Sequence, residues 1–149
     1  MVHALERARR RLRPDCPLVL IQPHQHRRPA IAVATRGRRT PVAQLDNAVF
    51  QPLIDAANAS IRKVIADGLF EARGAIHGRY TAGLESLAEL DRFLHLTETP
   101  PRFPPGGRQR LLDLWRRRAR GARIEVTQFF TVFGLRAATA PGTAASSRP

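Results

Sequence analysis

The chain has 149 residues and carries 25 basic against 12 acidic side chains, a formal net charge of +13 at neutral pH. That length suffices for one hydrophobic core, and self-repulsion at such a charge costs stability unless a polyanionic partner offsets it. The longest apolar run near the start, LVLI at 18–21, is far too short for a signal sequence or a membrane span, so neither is expected.

Cys16 stands alone and forms no intramolecular disulfide, so the reducing cytoplasm is the expected compartment. Charge is laid out unevenly. Residues 1–44 hold 10 basic and 2 acidic groups, 45–99 hold 5 and 8, and 100–149 hold 10 and 2. Two basic ends thus flank an acidic middle. Every cation but Lys63 is arginine, a bias that a GC-rich genome produces without selection for the guanidinium fork. The layout of charge therefore carries the argument, and the arginine preference does not. The acid-poor start also has the composition of a transit peptide, against which stands the lack of any serine before Ser60.

HALERARRRLR at 3–13 predicts a short helix with Leu5, Ala8 and Leu12 on one side, stopped by Pro14, so that 1–16 form a basic arm. PLVLIQ (17–22) and AIAVAT (30–35) predict a β-hairpin joined through PHQHRRP, with RGRRTP (36–41) leaving as a basic turn. Counting from Phe50, residues Leu53, Ile54, Ala57, Ile61, Val64, Ile65 and Gly68 line one face. Pro52 suits a first turn, so a helix is expected over 51–67.

Ile76, Tyr80, Gly83, Leu84, Leu87, Leu90 and Leu94 recur at helical spacing and predict a second helix over 76–96. Asp91 falls within its apolar stripe and needs a partner: Arg92, His95 or a basic partner helix. TETPPRFPPGG (97–107) reads as a proline-rich linker across which the charge changes sign. RQRLLDLWRRRAR (108–120) sets Leu111, Leu112, Leu114 and Trp115 opposite Arg110, Asp113, Arg116, Arg117 and Arg120. Arg118 snorkels along the border and Gly121 suits a helix stop.

IEVTQFFTVF (124–133) fits a strand through its β-branched and aromatic content, or a helix face of Val126, Phe129, Phe130 and Phe133. Residues 137–149 have no periodicity and predict a disordered tail. The expected fold is α+β but mainly helical: a short hairpin, an antiparallel helix pair and a basic C-terminal helix. Residues 17–96 would form a small core, with 108–136 beyond the linker.

VTQFFTVFGLRAAT (126–139), preceded by the basic helix, resembles the helix-turn-helix of DNA-binding proteins, in which a glycine makes the sharp turn. The resemblance implies a reading helix after Gly134. Phe130 stands where a small residue is usual, and Pro141 and Gly142 leave that helix about one turn, short for a major groove.

His24 and His26, one residue apart after a strand, with Tyr80 downstream, resemble the nicking endonucleases of rolling-circle replication and plasmid mobilisation. This implies a metal on two histidines and a helical tyrosine nucleophile. Here Gln25 lies between the histidines, Pro23 and Pro29 flank them, and no lysine follows Tyr80; a hydrated turn accounts for the same residues. Cys16, His24 and His26, with Asp15 as a fourth ligand, match no structural zinc spacing. Asp91 and His95 have the spacing of an orienting carboxylate–imidazole pair.

With no Gly-rich phosphate loop and no nucleophile elbow, no catalytic residue, metal or cofactor is expected. The expected function is sequence-tolerant nucleic-acid binding by an accessory or regulatory protein, through Arg9, Arg10, Arg11, Arg36, Arg38, Arg39, Arg110, Arg116, Arg117 and Arg120. The alternative is a protein-interaction module, a homodimer through the Phe50–Gly68 and Tyr80–Leu94 helices. A metal-dependent nicking nuclease stands third.

Overall fold

The computed structural model describes residues 1–13, 16–96 and 99–138. Among them the elements run α1 (Val2–Arg11), β1 (Pro17–Pro23), β2 (Ala30–Thr35), β3 (Arg38–Gln44), α2 (Gln51–Ala66), β4 (Phe70–Leu84), α3 (Leu87–Leu94), α4 (Gly107–Arg116) and β5 (Arg123–Ala137). The expectation of a mainly helical protein is overturned: the fold is α+β around a five-stranded antiparallel sheet, and strands hold more residues than helices. β5 is its centre. β1, β2 and β4 all pair with β5, and β3 continues the sheet beyond β2.

The helix expected over 76–96 is the end of β4 followed by the separate α3. Ile76, Tyr80 and Leu84 are spaced by four, which is about one helical turn and also two strand repeats, so the spacing does not discriminate. The glycines do. Gly78 and Gly83 would each weaken a helix interior by about 1 kcal/mol, whereas in the strand Gly78 leaves room for the Phe130 ring, which a Cβ would overlap. α3 has its own start signal in Ser86-Leu-Ala-Glu89. The Ser86 hydroxyl accepts the Glu89 N–H at 3.1 Å, and the Glu89 carboxylate accepts the Glu85 N–H at 2.7 Å.

The expected pairing of β1 with β2 is also corrected. β2 pairs with β3, Thr35 opposite Arg38, and with β5, Ala30 opposite Thr127. The tight turn is Arg36–Gly37, where Gly37 at φ 79 takes the left-handed conformation that glycine tolerates. The two-proline connector after β1 spans a longer gap. Pro41 lies beside a shift in register, Ile31 opposite Ala43 but Ala32 opposite Pro41, a place where a missing N–H is tolerated.

Residues 124–133, open between strand and helix in the sequence, belong to β5, as eight β-branched or aromatic residues in ten favour. The helix-turn-helix is thereby excluded for the described residues: the chain stays extended through Gly134 to Ala137. Along β4 and β5, His77 meets Thr131 and Thr81 meets Thr127, whereas Glu71 reaches Arg136 and Arg73 stands beside Gly134. Gly74, at φ 133, takes a backbone conformation that side-chain-bearing residues rarely adopt.

The chain divides into two compact units. One takes residues 1–21, 56–76 and those from 132 onward; its core is Leu5 of α1, Ile61 and Val64 of α2, Phe70 of β4 and Leu135 of β5. The other takes residues 22–55 and 77–131, with Ile31, Val33, Leu45, Leu90, Leu111, Trp115, Ile124 and Val126 packed together. The apolar stripe of α2 is buried at Ile54, Ile61 and Val64. The second helix of the expected 50–68 and 80–94 pair is absent at Tyr80, which lies on β4. The tail expected at 137–149 lies outside the described residues from position 139, as do Pro14, Asp15, Thr97 and Glu98.

Candidate polyanion-binding cleft

In the unit of residues 22–55 and 77–131, the β2–β3 hairpin and the end of α4 enclose an open cleft of about 290 Å³. Arg38, Arg117 and Arg118 line it with the hydroxyl-bearing Thr35 and Thr40, over a floor that includes Val33 and Leu114. Strand alternation puts Arg38 and Thr40 on one face of β3 and sends Arg39 to the other. There Arg39 meets the Glu125 carboxylate at 2.8 Å and the Thr127 hydroxyl at 3.3 Å.

Arg118 is held in place. Its guanidinium lies 4.2 Å over the centre of the Trp115 ring and donates to the Trp115 carbonyl at 2.8 Å. Trp115 is itself buried in the core, so the ring is a fixed platform, and holding a guanidinium on it lowers the entropy lost on contacting an anion. Sequence reasoning gave Arg118 only the role of covering an apolar border. The Arg-Trp spacing at i and i+3 was the available signal.

The other basic candidates are dispersed. Arg36 is exposed in the hairpin turn, and Arg110 is exposed on α4. Arg116 lies 3.6 Å from Asp113. Arg120 is exposed beyond the end of α4, which stops at Arg116 rather than continuing through the arginine run. Arg9, Arg10 and Arg11 belong to the other unit. Arg10 and Arg11 are exposed, while Arg9 donates to the Ala138 carbonyl at 2.5 Å and is engaged in holding β5's end.

The histidines form a different group from the one the nicking-enzyme pattern implies. His24 and His26 sit in the bend after β1, with rings 6.4 Å apart and edge-on, and Tyr80 is half exposed on a strand rather than a helix. His77, unremarked in the sequence, comes to 4.9 Å from His24 and shares a 3.0 Å hydrogen bond with Thr131. Burial first, then the nearby His77, Arg27 and His26, lower the pKa of His24 below its ordinary value. Among the described residues no group of three or more His, Cys, Asp or Glu side chains is placed to hold a metal.

Asp91 finds its partner in the basic helix. Arg108 of α4 donates to both its carboxylate oxygens, at 2.6 and 2.9 Å, and this pairing holds the Asp91 carboxyl below the usual range against the opposing effect of burial. His95 Nδ1 lies 2.7 Å from the Asp91 backbone carbonyl, so the orienting carboxylate–imidazole pair is absent. The ion pair borders a groove of about 410 Å³ with Phe103, Leu94 and Val49.

Among the described residues no helix is long and apolar enough to cross a membrane. The chain matches no protein-family model, no curated protein and no solved structure.

Proposed function

We propose that the protein binds nucleic acid without sequence preference, with the cleft between the β2–β3 hairpin and α4 as a phosphate-binding site. The supporting observation is convergence: two basic runs far apart in sequence, 36–39 and 116–120, supply Arg38, Arg117 and Arg118 to one concavity beside two threonines. Among the described residues no carboxylate lies within ion-pair distance of these three arginines. Guanidinium donors with hydroxyls beside them suit phosphate oxygens, and a contact to phosphate alone is sequence-tolerant.

The reading is tested by anisotropy titrations of single- and double-stranded oligonucleotides across a salt series. Each phosphate contact contributes about 0.9 to the slope of log K against log salt on duplex DNA, so Arg38→Ala with Arg117→Ala should lower the slope by up to about 1.8. Arg118→Lys keeps the charge and loses the planar stack, so it should weaken binding at nearly constant slope. A double variant that keeps both wild-type affinity and wild-type slope overturns the proposal.

A further inference from the structure

Loop 24–29 joins β1 to β2 and is closed by one imidazole. The backbone N–H groups of His26 and Arg27 both donate to His24 Nδ1, each at 3.1 Å. Two donors converging on one nitrogen require its lone pair, so the ring is neutral, with its proton on Nε2. The His24 N–H is bonded to the Phe129 carbonyl at 2.9 Å, which fixes the base of the loop on β5. Further along, Gln25 donates to Asp55 at 3.2 Å and accepts from Gln51 at 3.0 Å through its carbonyl.

Two arginines ride on this loop. Arg27 lies 5.5 Å over the Phe129 ring, and Arg28 stands 3.8 Å from Asp46. The groups facing the His24 ring are His77 from β4, at 4.9 Å between ring centres, and His26 and Arg27 from the loop itself. All carry or can gain positive charge, so a proton on His24 meets repulsion from both sides as well as two N–H groups pointed at its new N–H.

We infer that His24 is a proton-operated latch: the neutral ring holds loop 24–28 closed, and protonation at Nδ1 releases the His26 and Arg27 amides and frees Arg27 and Arg28. The sign follows from the contacts. The closed loop disfavours the protonated ring, so the opening is coupled to proton uptake and occurs as pH falls below the ordinary histidine value of 6.5. Above that value the loop is closed. The latch involves none of the cleft arginines and stands whether or not the cleft binds nucleic acid.

The test follows the full chain by NMR from pH 8 to pH 5, reading the His24 ring nitrogens and the His26 and Arg27 amides. In the wild type the two amides should shift together with the ring, with one midpoint below 6.5. His24→Asn supplies an acceptor oxygen at the same place with no titration, so its amides should stay closed throughout. His24→Ala should leave them open at every pH. His77→Gln keeps a polar partner for Thr131 and removes a ring whose proximity lowers the His24 pKa, so the midpoint should move up. The inference is overturned if the two amides ignore the ring titration, if the midpoint lies at or above 6.5, or if His24→Asn titrates as the wild type does.

Discussion

Replacing Gly78 with alanine sets two physical expectations of opposite sign against each other. If residues 76–96 were helical, or if β4 carried an unobstructed glycine, alanine would stabilise by about 0.5–1 kcal/mol through lower backbone entropy in the unfolded chain. In the structure, the new Cβ would overlap Phe130 Cζ and lie 2.6 Å from Cε2 and 3.0 Å from Cε1. The ring must swing away from the strand, and strain of this kind in a packed site costs about 1–3 kcal/mol. Because the obstruction is the outer edge of one half-buried ring, the low end applies, and Gly78→Ala should destabilise by about 1 kcal/mol net of the entropy gain. In a Phe130→Ala background the obstruction is gone and the same change should become stabilising. Denaturant melts of the four proteins of this cycle give the coupling directly. A stabilising Gly78→Ala in the wild-type background would refute the close approach of Phe130 to Gly78.

Two further outcomes concern the cores and the ion pair. Ile61→Ala and Leu111→Ala each remove a buried side chain, at 3% and 0% exposure, and should each cost about 2–5 kcal/mol in denaturant melts; loss of less than 1 kcal/mol at either would mean that the site is not packed as described. Asp91 is held below its ordinary value of 3.8, so its bond to Arg108 contributes stability that is present above that value and lost as pH falls through the depressed one. Both side chains are more than a third exposed, which keeps the effect small. Melting curves of wild type and Asp91→Asn should differ at neutral pH and converge in acid; a constant difference would dissociate the pair from the acid response.

The parts of the fold legible in the sequence are those that one local period determines alone. α2 is such a case, since Ile54, Ile61 and Val64 fit a helix and no strand. β4 failed because a four-residue spacing is shared by both periods, and the deciding signals, glycines inside the stretch and the Ser86–Glu89 capping box, are not hydrophobic. The hairpin was displaced by one strand because two apolar runs drew the pairing, while the turn chemistry lay in Arg36–Gly37. At the site, Arg38 and Arg117 were both named from charge, but their meeting depends on α4 packing against β2 and β3, which no local pattern encodes. His77 was hidden for the same reason: it reaches His24 only because β1 and β4 both pair with β5.

Neighbouring arginines on β3 show why a count of charges overstates what is available to a ligand. Arg38 and Arg39 are equal in charge and adjacent in sequence, yet the strand repeat turns one to the cleft and the other to Glu125 and Thr127. Arg39 is already neutralised by its carboxylate at 2.8 Å, and displacing that partner would offset part of any phosphate contact. Arg39→Ala should therefore leave the salt slope of oligonucleotide binding unchanged, and should cost the fold less than about 1 kcal/mol, as a part-exposed ion pair does. Arg38→Ala should do the reverse, lowering the slope by about 0.9 with little change in melting. Equal slope losses for the two variants would mean that binding responds to total charge rather than to the cleft, and the phosphate site would have to be abandoned.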